Sequence, residues 1–292
     1  MRFEEARTSR VGNREGNQDR ALLIADKDAV LLAVADGMGG HDRGDLAAQA
    51  FVDTLRREFL GRDPMDDPSA FLRSALQRAH RTIVAVGRTH RPPIRPLTTG
   101  VACLVQGDMA HWAHVGDSRF YLLRDDHVFF QTRDHTPVAD LVAAGVITER
   151  QARVHPMRNQ VNQCLGDADH PPRISMGPTA FLQPGDVLLL CSDGLWANVT
   201  EARLLEVLEN DNLADAIETL AVTAEQKAWP QSDNITAVAL RWEGLEGETA
   251  TREELDAADA AEPDPVARAI AELDQALAEY GHEMTERHDG KS

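Results

Sequence analysis

Apolar runs that begin or end on an aspartate are the strongest constraint in this chain. Ala29–Met38 reads Ala-Val-Leu-Leu-Ala-Val-Ala-Asp-Gly-Met and continues into Gly39, Gly40 and His41. A continuous apolar run bounded by glycines is the pattern of a strand buried on both faces. It closes on Asp36, and an unpaired carboxylate at the end of a buried strand is costly. Asp186–Leu195 repeats the construction and closes on Asp193-Gly194. His111–Ser118 gives a third version at Gly116-Asp117-Ser118, and Asp233-Asn234 opens the apolar run Ile235–Leu240. Asp-Gly pairs also mark ordinary tight turns, so no single junction is diagnostic. If the strands are neighbours, however, the four carboxylates converge. Hard oxygen ligands without a matching Cys/His set suit Mg²⁺ or Mn²⁺ rather than Zn²⁺.

Length and charge narrow the classes. At 292 residues the chain is one large domain or one domain with an appendage. A net charge of −18 argues against a nucleic-acid backbone as partner. The acidity is uneven: Glu243–Ser292 carries 15 acidic and 4 basic residues, leaving −7 for the first 242. Cys103, Cys164 and Cys191 are too few and too scattered for a disulfide framework or a structural zinc site. Cys103 and Cys191 fall in apolar strands and read as core thiols. Met1–Arg20 is charged and lacks the apolar segment of a secretory signal. No apolar run approaches the roughly 18 residues that span a bilayer. The expectation is a cytoplasmic protein with no membrane partner.

Taken in order, Arg10–Asp19 is polar and turn-rich, and Ala21–Ala25 is a short strand. Arg14 is either a salt-bridge partner for nearby carboxylates or a bidentate holder of phosphate. Gly44–Phe59 has helical spacing, and Ser69, as N-cap, opens a second helix to about Thr89. Gly100–Val105, Ala110–Val115, Arg119–Leu123 and Val128–Gln131 then read as an antiparallel meander. Helices first and strands in succession afterwards indicate α+β rather than alternating βαβ. Thr132–Gly166 is irregular, with short helices over Pro137–Ala144 and Thr148–Ala152, and is expected to cover the cluster. Helices over Glu201–Leu208 and Ala214–Lys227 and a strand Asn234–Trp242 close the body. Residues 243–265 are acidic, alanine-rich and poor in large apolar residues, which is linker composition. Residues 266–281 form an amphipathic helix, with Ile270, Leu273, Leu277 and Tyr280 on one stripe that must dock on the body, self-associate or meet a partner.

Gly12, Arg14 and Asn17-Gln18-Asp19, Asp36-Gly37-Met38-Gly39-Gly40-His41, Val115-Gly116-Asp117-Ser118-Arg119, Asp134-His135, Cys191-Ser192-Asp193-Gly194-Leu195 and Asp233-Asn234-Ile235-Thr236 occur in that order. This ordered set resembles the metal-dependent (type 2C, PPM) protein serine/threonine phosphatases, most closely the bacterial type. The resemblance covers about residues 8–242 and makes 1–242 the phosphatase domain. It implies a four-layer αββα sandwich of two antiparallel sheets with helices on both outer faces. It also implies two Mn²⁺ or Mg²⁺ ions bridged by Asp36, with a hydroxide between them as nucleophile on phosphoserine or phosphothreonine. Asp193 and Asp233 would complete one ion's protein ligands and the Gly37 carbonyl would serve the other. Asp19 would act through bound waters, Asp117 would join Asp193 at a third, weaker ion, and Arg14 would hold the phosphate. The substrates would be phosphoproteins marked by a cognate serine/threonine kinase.

Some positions depart from the family pattern. Gln18 stands where Glu is frequent. Met38 stands where animal members carry a His proposed as general acid, so that role does not transfer, and the neighbouring His41 reads more readily as a loop histidine. Thr98-Thr99-Gly100 differs from the usual small residues, a difference expected to bear on packing alone. Two other classes compete: a catalytically silent phosphatase-like module that binds phosphoprotein, and a two-metal phosphodiesterase or nuclease. The complete carboxylate set argues against the first, and the charge balance argues against the second. A nucleotide loop at Gly37–Gly40 lacks the following Lys-Ser/Thr.

Overall fold

The structure is a computed structural model in which residues 1–245 are described, except 27, 40–42, 63, 64 and 211. His41, the helix expected over 266–281 and nearly all of the linker expected over 243–265 lie outside the described residues. The chain divides into two compact units, Met1–Glu246 and Gly247–Ser292, and all the described residues belong to the first.

Its strands are β1 (Arg2–Arg10), β2 (Arg20–Asp26), β3 (Ala29–Ala35), β4 (Gly37–Met38), β5 (Leu97–Thr98), β6 (Gly100–Gln106), β7 (Met109–Val115), β8 (Arg119–Arg124), β9 (His127–Gln131), β10 (Ser175–Met176), β11 (Ala180–Phe181), β12 (Val187–Cys191) and β13 (Ile235–Gly244). The helices are α1 (Gly44–Leu60), α2 (Pro68–Thr89), α3 (Pro137–Ala143), α4 (Glu149–Ala152), α5 (Asp193–Trp196), α6 (Glu201–Asn210) and α7 (Leu213–Ala228). One sheet has the order β1-β13-β12-β8-β9, and the other β10-β7-β6-β3-β2 with β11 also on β7. All pairings within both sheets are antiparallel.

Side-chain alternation explains the continuous apolar runs. Successive residues of a strand face opposite sides of its sheet. In β3, Val30, Leu32 and Val34 enter the layer between the sheets, where they join Leu188 and Leu190 of β12 and Val238 and Leu240 of β13. Leu31, Ala33 and Ala35 enter a second apolar layer with Phe51 and Leu55 of α1 and Leu72 and Leu76 of α2. Leu189, Cys191, Ala237 and Ala239 face a third, with Ile217 and Leu220 of α7 and Leu204 and Val207 of α6. Three apolar layers separating helices, sheet, sheet and helices make the αββα sandwich, as the resemblance implied. The strand residues of β3 and β12 carry no polar side chain because neither face meets water.

Three local expectations are corrected. The N-cap of α2 is Asp67, whose side chain accepts from Ala70 N, with Pro68 in the first turn. Proline suits that position because its missing N–H would be unpaired there anyway; Ser69 instead bonds the His111 ring at 3.1 Å. The meander is interrupted: β6–β7 and β8–β9 are hairpins, but β7 and β8 belong to different sheets, so the chain changes sheet across Gly116–Ser118. Asp193 does not simply end a strand. It is the first residue of α5, one turn that follows Ser192.

Leu190 is fully buried between the sheets. Leu190→Ala is expected to lower the unfolding free energy by about 2–5 kcal/mol in a urea titration. A loss well under 1 kcal/mol would show that this layer tolerates a void.

Candidate active site

The aspartates singled out in the sequence lie at one set of strand ends, and short polar side chains tie their loops together. Asp36 follows β3 directly. Its carbonyl accepts from Thr99 N at 2.9 Å and Thr98 Oγ1 at 2.8 Å, and its N–H donates to Thr99 Oγ1 at 3.2 Å. Thr99 Oγ1 also lies 2.7 Å from Ser118 Oγ, in the crossover beside Asp117. Thr98 and Thr99 therefore fix two of the acidic junctions, a larger part than the packing role expected of them. Buried His135 braces the same crossover. Its N–H donates to Gly116 O at 2.9 Å and its Nδ1 accepts from Gly116 N at 3.2 Å. Burial, with His114 stacked at 4.5 Å, pushes the imidazole down to about 3, so it stays neutral.

Asp19 is reached from the opposite sheet. Ser192, between β12 and Asp193, donates from Oγ to Asp19 Oδ2 at 2.7 Å while accepting from Thr236 N at 3.0 Å. Asn234 does the equivalent for the N-terminal loop. Its Nδ2 donates to Val11 O at 2.8 Å and Gly16 O at 3.0 Å, and its Oδ1 accepts from Gln18 N at 2.8 Å. Close backbone approach does the rest. A Cβ on Gly194 would lie 2.0 Å from the Asn234 carbonyl oxygen, and one on Gly37 would lie 2.4 Å from that of Gly44. Only glycine fits such contacts.

Asp19 and Asp117 are buried, while Asp36, Asp193 and Asp233 are half-buried. Arg14 stands at the rim, 57 % exposed, and donates from Nη2 to Asp233 Oδ2 at 2.7 Å. Burial, then repulsion from Asp193 and Asp233, raises the Asp19 carboxyl to about 7. Burial, then Asp193, raises Asp117 to about 7, and burial, then Asp233, raises Asp193 to about 6. Asp36 is pushed well above the carboxylate range by burial first and then by Asp19, Asp193, Asp117 and Asp233 together. Asp36 is thus the point at which the fields of the other four meet.

Such a cluster fits a hard divalent cation. Its donors are carboxylates and backbone carbonyls, the oxygen chemistry of Mg²⁺ and Mn²⁺. Asp19 Oδ1 is buried with no hydrogen-bond partner, an expensive state for a carboxylate unless positive charge offsets it. Among the described residues no three His, Cys, Asp or Glu side chains are arranged, as they stand, to hold a metal ion. Two of the oxygens concerned are turned to protein donors, Asp19 Oδ2 to Ser192 and Asp233 Oδ2 to Arg14. Gln18 reaches Gly39 O at 3.4 Å, and Met38 lies in β4. Among the described residues no helix is long and apolar enough to cross a membrane.

The family model described as Protein phosphatase 2C matches residues 7–237. The chain belongs to the protein phosphatase 2C family. Relatives agree in sequence and fold. Serine/threonine protein phosphatase PstP of Mycobacterium tuberculosis is 35% identical over 240 residues, covering 80% of this chain and 45% of the relative. The chain thus spans less than half the length of that relative. It spans 93% of serine/threonine phosphatase stp of Listeria innocua, at 32% identity over 238 residues and 80% of this chain. The crystal structure of M. tuberculosis PstP/Ppp superposes with TM-score 0.73 at 33% identity, covering 82% of this chain and 99% of that one. A PstP catalytic domain in complex with two manganese ions gives TM-score 0.70 at 32% identity, covering 82% and 97%.

In this phosphatase 2C domain Ser192, Asn234, Thr98 and Thr99 support the acidic residues, as does Trp196, whose Nε1 donates to the Asp117 carbonyl, and sequence reading assigned none of them that part. Ser192 and Asn234 sit beside the acidic junctions in sequence, but their partners, like those of Thr99, lie 19 to 223 residues away. Asp19 supplies a test. Its folded-state proton affinity is raised, so its contribution to stability is greatest below about pH 4 and is lost as pH rises through about 7. In chelator at pH 8, Asp19→Asn is expected to be more stable than wild type by about 2–4 kcal/mol. At pH 5 the difference should fall to roughly a third of that, and at pH 4 to about 0.5 kcal/mol or less, in paired denaturant unfolding. Equal stability at both pH values would mean that Asp19 is not desolvated.

Proposed function

We propose that this chain hydrolyses phosphoserine and phosphothreonine in proteins, using divalent cations seated by its aspartates. The carrying observation is that five carboxylates from both sheets press on one another, with Asp36 feeling all the others. Asp36 would be shared by two Mn²⁺ or Mg²⁺ ions, with Asp193 and Asp233 completing one and the Gly37 carbonyl serving the other. Asp19 would act through water, and Asp117 with Asp193 would take a third, weaker ion. The manganese pair named for the PstP catalytic domain supports this assignment. Bound cations would supply a nucleophilic water of lowered pKa and positive charge for the phosphoryl oxygens.

The chain's own residues do the rest. Arg14 is exposed at the rim and tethered by one carboxylate oxygen, so its guanidinium is free to turn its fork to a phosphate. Ser192 and Asn234 keep Asp19 and Asp233 aimed across the inter-sheet seam while charge shifts during phosphoryl transfer. No thiol takes part: Cys103 and Cys191 are buried, and burial raises half-buried Cys164 to about 11 and Cys191 to about 12. Thr132–Gly166, which carries α3 and α4 and returns so that Asn162 N donates to the His135 carbonyl at 2.9 Å, is read as the part that selects substrate. A serine/threonine kinase that writes the marks removed here is the implied partner pathway, and the cytoplasm the implied compartment. The silent-module alternative is disfavoured because every carboxylate of the set is present.

Turnover of phosphothreonine peptides is expected to require added Mn²⁺ or Mg²⁺ and to stop with chelator. Asp36→Asn and Asp193→Asn should each lower turnover by about 10²–10³-fold or more with unchanged circular dichroism. Wild-type hydrolysis of p-nitrophenyl phosphate by Asp36→Asn would sink the assignment.

A further inference from the structure

Asp117 and Asp193 come from different connections, the crossover between the sheets and the first turn of α5. Their side chains are close enough for Asp193 to be the strongest charge acting on Asp117. A shared ion would demand a fixed separation between them. One direct tie spans the two: Trp196, last residue of α5, donates from Nε1 to the Asp117 carbonyl at 2.9 Å. The indole and the Asp193 carboxylate are both borne by the single turn of α5.

The indole is itself held. The Arg119 guanidinium stacks on it with its carbon 3.6 Å from the ring centroid. Asp134 grips that guanidinium through two parallel bonds, Arg119 Nε to Oδ1 and Nη2 to Oδ2, both 2.8 Å, and Arg119 Nη1 donates to Tyr121 Oη at 3.0 Å. Arg119 and Asp134 are 19% and 11% exposed, so the pair is sheltered and little screened. Cation–π stacking on Trp and a bidentate carboxylate fix the plane of the arginine, and the arginine fixes the plane of the indole. None of the three side chains is expected to touch substrate.

We propose that Trp196 is a positioning residue that sets the distance between Asp117 and Asp193, with Arg119 and Asp134 orienting its indole. This rests on the phosphatase reading in taking those two carboxylates as cation ligands. Trp196 has no chemistry of its own in the reaction. It acts through the Asp117 main chain, whose carbonyl would otherwise be free to rotate with the loop.

The test is Trp196→Phe, which keeps an aromatic face for Arg119 but removes the N–H donor. Mn²⁺ titration by isothermal calorimetry is expected to show the weakest wild-type binding event shifted at least about 5-fold, with the tighter events unchanged. Half-maximal turnover should need correspondingly more Mn²⁺, while KM for p-nitrophenyl phosphate at saturating Mn²⁺ stays as in wild type. In an Asp117→Asn background Trp196→Phe should add nothing to the calorimetric change, an outcome that general loosening of the fold would not give. Should Trp196→Phe not fold, Asp134→Asn, which weakens the grip on Arg119 at constant shape, should shift the same event in the same direction. Matching cation titrations for wild type and a folded variant overturn the proposal whatever the turnover. A calorimetric shift in a protein that hydrolyses no phosphoester would leave the positioning role standing and count against the phosphatase reading alone.

Discussion

Like charges held close together in a partly dry cleft are the fact to which the rest of this fold must answer. Asp36, Asp193, Asp19 and Asp117 are all raised by burial first and then by neighbouring carboxylates, Asp233 included. Left to themselves, such groups would splay apart or take up protons. The sandwich prevents the first by seating them on strands whose side chains are buried on both faces, as in β3 and β12. Close-packed interiors yield little, so the repulsion remains stored at the strand ends until something positive offsets it.

The ties that resist splaying are few and local. Ser192 links the Asp193 junction to Asp19 and Thr236. Asn234 holds three backbone groups of the N-terminal loop beside Asp233. Thr99 joins Asp36 to the crossover through Ser118. Each uses a short side chain with little rotamer freedom to lose, so its bond costs little entropy relative to a long charged one. Arg14 is the exception: long, exposed and held at one point, it has the freedom that an incoming ligand can exploit.

Much of this was legible in the chain itself. The four-layer architecture followed from the resemblance, and the uninterrupted apolar runs at Ala29–Ala35 and Val187–Cys191 already required cover on both faces. The acidic junctions were legible because Asp at the end of such a run has no ordinary structural excuse. What escaped was non-local. Strand periodicity says which face a residue takes but not which sheet it joins, so the break of the meander at Gly116–Ser118 was hidden. Ser69 and Asp67 both suit a cap, and only the proline between them decides. The parts played by Thr98, Thr99, Ser192 and Trp196 depend on partners tens of residues away, and no window of sequence contains both ends of those bonds.

The pairing of β1 with β13 has a consequence for how the molecule comes into being. Arg2–Arg10 aligns with Ile235–Gly244 in one antiparallel ladder. Among the described strands β1 pairs with β13 alone, so its place in the sheet waits for a strand more than 220 residues later, a connection of high contact order. Arg14, Asp19 and Asp233 flank that same seam. A ribosome-bound fragment lacking β13 and the residues just before it has its rim arginine without Asp233 and its N-terminal loop without Asn234. The growing polypeptide would thus emerge disarmed, and competence would arrive in a single step when the closing strand zips into place.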